Sequence, residues 1–178
     1  MANVLTLARL ALIGPFVAAM LVGGAAGGWA AFGIFLLAAL TDFADGRIAR
    51  ARGEVSALGA ALDPIADKAL AAAALVLLAG ASVVTGVHLV AATAILVREF
   101  LVSGLREAIA GDGESVPTTL LSKAKTVVQF VALAVLLAPL GSAPVHAGGL
   151  ALLWLAAALT VWTGADHALR AVRILRKK

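Results

Sequence analysis

Asp42-x-x-Asp45-Gly46-x-x-Ala49-Arg50 is followed, eight residues on, by Gly59-x-x-x-Asp63-x-x-x-Asp67. Residues three or four apart share a helix face. Asp42 and Asp45 are three apart and Asp63 and Asp67 four apart, so each pair can present two carboxylates toward one point. Hard oxygen donors without His or Cys suit Mg²⁺, Mn²⁺ or Ca²⁺ rather than zinc. Crowded carboxylates raise one another's pKa, and one or two divalent cations remove that penalty. A lone acidic pair would more often be an ion pair with Arg47, Arg50 or Lys68 at a membrane interface. Four aspartates arranged with Gly46, Gly59 and Arg50 point instead to a metal site. The two glycines imply close backbone approach, of helix to helix or of protein to ligand.

The elements that must position these acids are made for lipid. The chain of 178 residues is 62% hydrophobic and 13% charged, with a mean hydropathy of +1.05; soluble domains carry roughly 25% charged residues. Apolar runs cover 4–23, 29–40, 69–97, 127–140 and 147–161, several of them near or beyond the ~20 residues that span a bilayer as a helix. An ionisable group at membrane depth is expensive and marks function. The glycine run 23–28, the charged stretch 42–54, the polar loop 111–114 and the turn 141–144 divide the chain. Six hydrophobic segments result, the later ones at about 59–80, 86–110, up to Pro139, and on to Ile174. The prediction is an all-α integral membrane protein of one domain, 1–178, with six transmembrane helices. The first segment lacks a basic leader, Arg9 being its first cation, and reads as an uncleaved helix. With no cysteine, disulfides, a thiol nucleophile and a thiolate metal site are excluded.

Charge sets the topology. All 14 Lys and Arg residues fall at one set of segment ends, and the connections around 23–28, 80–88 and 139–149 hold none. Basic residues accumulate on the cytoplasmic side, which predicts cytoplasmic termini and an even number of spans. All 10 acidic residues lie at the same ends, so a polar active-site cavity should face the cytosol. The tail Arg170, Arg173, Arg176, Lys177 and Lys178 reads as a topology anchor against anionic lipid. Nucleic acid is not an expected partner despite a pI near 10.1, because the charge is spread along membrane-helix ends.

The acidic stretch closely resembles the signature of the CDP-alcohol phosphotransferases, D-x2-D-G-x2-A-R-x8-G-x3-D-x3-D, with no position missing. The resemblance implies a six-helix membrane fold, a homodimer, and a cytosol-facing cavity that displaces CMP from a CDP-linked substrate with a divalent cation, Mg²⁺ first and Mn²⁺ as the alternative. Carried over by position, Asp42, Asp45, Asp63 and Asp67 resemble the metal ligands, and Asp67 also the general base. Thr6, Asp45, Gly46, Ala49, Arg50 and Gly59 resemble the cytidine-diphosphate contacts.

Further on, Arg98-Glu99-x-x-Val102-Ser103-Gly104-Leu105-Arg106-Glu107 and Ser122-Lys123-Ala124-Lys125-Thr126 are unusually polar for membrane-helix ends. An acceptor alcohol carrying its own phosphate would want such cations, Arg as a fork and Lys as a point charge. Arg98, Arg106, Lys123 and Lys125 are therefore candidate acceptor-phosphate ligands, against a reading as cations snorkelling to the interface. These segments and Asn3-Val4-Leu5-Thr6-x-x-Arg9 resemble those of bacterial phosphatidylglycerophosphate synthases; Ala2 stands where they have proline and Ser122 where glycine is usual. That resemblance implies CDP-diacylglycerol and glycerol 3-phosphate as substrates and the bacterial inner membrane as location. Rival readings are a sister enzyme taking inositol phosphate, phosphatidylglycerol or serine, a cation or proton transporter, and a non-catalytic scaffold. The first keeps the aspartates; a transporter would need charge toward the far face, where none lies.

Overall fold

The computed structural model describes the backbone of residues 2–52, 57–110 and 119–175. Among the described residues all regular structure is helical: α1 (Ala2–Val22), α2 (Gly24–Arg52), α3 (Ala57–Gly80), α4 (His88–Ala110), α5 (Leu120–Leu137) and α6 (Ala143–Leu175). Four of these contain stretches long and apolar enough to cross a membrane: Gly24–Thr41, His88–Ile109, Leu120–Leu137 and Ala143–Ile174. In α1 and α3 the apolar stretches are shorter, Leu7–Val22 and Lys68–Gly80. Leu37, Leu40, Val97, Phe100, Leu101, Val127 and Trp162 are exposed on these helices. So much exposed apolar surface is what a lipid-facing helix presents and a soluble monomer avoids.

Two helices outrun the bilayer. At ~1.5 Å rise per residue, α2 with 29 residues and α6 with 33 reach about 44 and 50 Å, against a hydrocarbon core of ~30 Å. In α2 the apolar stretch stops at Thr41 and the helix continues through Asp42 to Arg52. The acidic positions of α2 thus stand on a helical extension rather than in a loop.

The chain forms two compact units. The first comprises 1–83 and 133–146: α1 to α3, the end of α5 and the start of α6. Within it α1 packs on both α2 and α3. Phe16 of α1 and Phe35 of α2 are fully buried with ring centroids 6.1 Å apart. Ala31, Ala38, Ala66 and Ala74 of α2 and α3 are also fully buried, and such small residues let membrane helices approach closely. The second unit comprises 84–132 and 147–178, built on α4, most of α5 and the rest of α6. Ile95, Ile109, Leu153 and Ala156 form part of its core.

The glycine run at 23–28 breaks the helix at one residue only, not throughout as its composition suggests. Gly23 and Gly24 take left-handed φ values of 68° and 63° and make the turn. Gly27 and Gly28 are helical and serve close packing. A Cβ on Gly27 would sit 2.6 Å from the Ala19 carbonyl oxygen, and one on Gly28 would sit 3.0 Å from Pro139 Cβ. At the end of α3, Val83 N donates to Leu78 O (2.9 Å) and Ser82 N to Ala79 O (3.1 Å), with Ser82 at φ 57°. This is a Schellman cap whose left-handed position falls on serine.

Candidate active site

The acidic signature lies on helical backbone in the first unit. Asp42 and Asp45 belong to α2, Asp63 and Asp67 to α3, so both the three-residue and the four-residue spacing are realised on helices. Arg50, Gly46 and Ala49 lie on the same extension of α2, and Gly59 lies in the first turn of α3. The side chains of Thr6, Asp42, Asp45, Gly46, Ala49, Arg50, Gly59, Asp63 and Asp67 are outside the described residues. Uninterrupted helix through both pairs, together with a donor set made only of carboxylate oxygens, fits a hard divalent cation. Among the described residues there is no group of three or more His, Cys, Asp or Glu that could hold a metal.

A cavity of about 540 Å³ in the first unit is not this site. It lies at the ends of α1, α3 and α5 that carry no Lys or Arg, and its walls are Met20, Leu78, Val83, Val135, Leu136 and Pro139 with exposed backbone. With His146 as its one titratable wall residue, it offers little to a diphosphate.

The second unit gathers the other chemistry. Arg98 on α4 is largely buried and donates twice, from Nη1 to Glu99 Oε1 at 3.1 Å and from Nη2 to Thr163 Oγ1 of α6 at 2.9 Å. Lys125 on α5 is buried and ion-pairs with the same Glu99 oxygen. Arg98 and Lys125 therefore converge on one carboxylate, while Arg106 near the end of α4 and Lys123 on α5 are exposed. Gly164 of α6 explains how Arg98 lies so flat. A Cβ there would be 2.7 Å from Arg98 Cγ and 3.1 Å from its Nε.

Sequence reasoning missed the α6 half of this cluster. Thr160, Thr163 and His167 are buried on α6 at spacings of three and four, one helix face in an otherwise apolar stretch. That spacing was the available signal. Ser122 Oγ of α5 lies 3.3 Å from His167 Nε2. His88 opens α4 and accepts a hydrogen bond from Trp154 Nε1 of α6 at 3.1 Å, a second tie between these two helices away from the cations.

The chain is 37% identical to a CDP-diacylglycerol–glycerol-3-phosphate 3-phosphatidyltransferase of Cereibacter sphaeroides, over 98% of this chain and 96% of that protein. It is 40% identical to the protein of the same name from Rickettsia bellii, covering 93% of this chain and 91% of the other. In fold it is similar to the crystal structure of a Mycobacterium tuberculosis phosphatidylinositol phosphate synthase in complex with manganese and citrate. That likeness has a TM-score of 0.62 at 19% identity, covering 96% of this chain and 79% of the other. The family model described as CDP-alcohol phosphatidyltransferase matches residues 1–162, a span that holds the whole aspartate signature and both basic segments. With the signature intact on two helices and the match running through five of them into the sixth, the chain belongs to the CDP-alcohol phosphatidyltransferase family.

Proposed function

We propose that this membrane transferase is a CDP-diacylglycerol–glycerol-3-phosphate 3-phosphatidyltransferase. The observation that carries the reading is near-complete alignment, at 37% and 40% identity, with relatives of that name, joined to an unbroken aspartate signature. Membership of a transferase family replaces the ion-pathway and scaffold readings.

Asp42, Asp45, Asp63 and Asp67 would hold the divalent cation, Mg²⁺ or Mn²⁺. Bound there, it supplies positive charge for the diphosphate and for the charge that develops on departing CMP. Thr6, Asp45, Gly46, Ala49, Arg50 and Gly59 hold the cytidine diphosphate, Arg50 as a fork on phosphate oxygen. The C1 hydroxyl of glycerol 3-phosphate loses its proton to the Asp67 carboxylate and attacks the β-phosphorus of CDP-diacylglycerol. A new P–O bond forms to the acceptor, the bridging P–O bond breaks, and CMP leaves; phosphatidylglycerophosphate remains in the lipid. Arg98, Arg106, Lys123 and Lys125 bind the acceptor's phosphate. Glu99 keeps Arg98 and Lys125 in place before the acceptor arrives, so less side-chain ordering is left for the binding step.

The charge pattern supports six spans in one domain, 1–178, with both termini and the reaction on the cytoplasmic side of the bacterial inner membrane. The working unit is a homodimer.

The test is CMP release by the purified protein in detergent with CDP-diacylglycerol and Mg²⁺, offering glycerol 3-phosphate, inositol phosphate, serine or phosphatidylglycerol. Release with glycerol 3-phosphate alone is expected. Release with another alcohol instead would overturn the acceptor, and release with none would overturn the reaction.

A further inference from the structure

The second unit buries more polar chemistry than those roles use. Ser122, Lys125 and Gln129 recur at spacings of three and four on α5, as Thr160, Thr163 and His167 do on α6. Along this face the helices α4, α5 and α6 are tied pairwise by polar contacts: Lys125 to Glu99, Arg98 to Thr163, and Ser122 to His167. Buried polar groups are costly unless bonded. Among the described residues, four members of this seam leave a buried polar atom unpaired, namely Arg98 Nε, Gln129 Oε1, Thr160 Oγ1 and His167 Nδ1, and of these only His167 has an ionisable ring whose second nitrogen is held by a neighbour.

His167 is 4% exposed, and its Nδ1 is fully buried with no hydrogen-bond partner. Its other nitrogen is spoken for. Ser122 N donates to Thr119 Oγ1 at 3.2 Å, and the hydroxyls of Thr119 and Ser122 are 3.0 Å apart. One arrangement satisfies all three contacts: the Thr119 hydroxyl donates to Ser122 Oγ, and the Ser122 hydroxyl donates to His167 Nε2 at 3.3 Å. In the tautomer that matches it, Nε2 accepts and the ring proton sits on Nδ1. The buried, unanswered group is then an N–H donor. Arg106, Arg98 and Arg170 act on the ring electrostatically, opposed by the Asp166 carboxylate, which Arg170 itself holds at 3.0 Å. With that carboxylate already paired, a buried donor near Arg98 and Arg106 suits an anion.

We propose that His167, oriented by Ser122 through Nε2, donates from Nδ1 to the phosphate of the acceptor alcohol and selects for phosphorylated acceptors. The inference rests on the phosphatidyltransferase reading above and adds to it a residue outside both sequence motifs. Ser122 stands where glycine is usual in the proteins whose basic segments it resembles, so the orienting hydroxyl is a feature of this chain.

The experiment compares the KM for glycerol 3-phosphate and for CDP-diacylglycerol in wild type, His167→Phe and His167→Asn. Phenylalanine keeps the ring volume and removes the donor; the asparagine amide places an N–H near the position of Nδ1. The expected result is a rise of about tenfold in the glycerol 3-phosphate KM for His167→Phe, with the lipid KM within about twofold and most of the loss recovered in His167→Asn. Equal losses in the two variants, or an unchanged acceptor KM, would overturn the assignment. Should His167→Phe fail to fold, the wild type decides. In protein labelled with ¹⁵N-histidine, titration with glycerol 3-phosphate should shift the His167 Nδ1 resonance saturably, and a static resonance would refute the contact. A wild type that releases no CMP with glycerol 3-phosphate would sink the parent reading. A wild type that does, beside unaffected variants, would sink His167 alone.

Discussion

Gly164→Ala tests the seating of Arg98 without touching a charge. The new methyl would lie 2.7 Å from Arg98 Cγ, 3.1 Å from Nε and 3.5 Å from Cδ. Cγ is near the root of the side chain, so the guanidinium cannot simply swing its tip aside. It must leave the position from which Nη2 reaches Thr163 Oγ1 at 2.9 Å. The adjacent Glu99, one residue along the same helix, can follow it. The expected loss is therefore one hydrogen bond to a charged group, about 1.5–3 kcal/mol. At ~1.4 kcal/mol per factor of ten, that is roughly 10- to 100-fold in kcat/KM for glycerol 3-phosphate.

Stability should fall by about 0.5–2.5 kcal/mol, because alanine's helix preference of about 0.5–1 kcal/mol over glycine offsets only part of the lost hydrogen bond. Reduced acceptor kinetics in protein that remains folded at the assay temperature is thus the signature. Thr163→Val removes the same hydrogen bond from the other side and should cost a similar factor. The double variant should cost little more than either single one, since both act through one contact. The assay is CMP release at varied glycerol 3-phosphate, with thermal unfolding in detergent as the companion measurement. Wild-type acceptor kinetics in Gly164→Ala would show that Arg98 has room to yield or has no part in acceptor binding. Additive losses in the double variant would refute the shared contact.

Asp67→Asn should lower kcat by about 10²- to 10⁴-fold while equilibrium binding of CDP-diacylglycerol persists; normal turnover would remove Asp67 from the base role. Chelation with EDTA should abolish CMP release and added Mg²⁺ or Mn²⁺ restore it, with activity in metal-free protein as the refuting result. Gly27→Ala should destabilise the first unit by about 1–3 kcal/mol, because its methyl would meet the Ala19 backbone oxygen at 2.6 Å; an unchanged unfolding temperature would show that α1 and α2 can part at no cost.

What was legible in the sequence had short range. Helix ends followed from glycine and proline: α3 was expected to end at Gly80 and does, and α5 was expected near Pro139 and ends at Leu137. The aspartate spacings of three and four needed only a helix to become meaningful, and α2 and α3 supply it. The seam in the second unit was illegible because its contacts join residues far apart in the chain. Lys125 and Glu99 are 26 apart, Ser122 and His167 45, and Arg98 and Thr163 65. Periodicity along one helix marks a polar face, but not which face of which other helix answers it. Arg98 read from sequence was a free cation awaiting phosphate; in the fold it already holds Thr163 and Glu99. An acceptor's phosphate would therefore meet an Arg98 already fixed in place, with exposed Arg106 and the unpaired Nδ1 of His167 as further groups to engage it. The substitution at Ser122, neutral when seen as one departure from a motif, gains its meaning only beside a histidine on another helix.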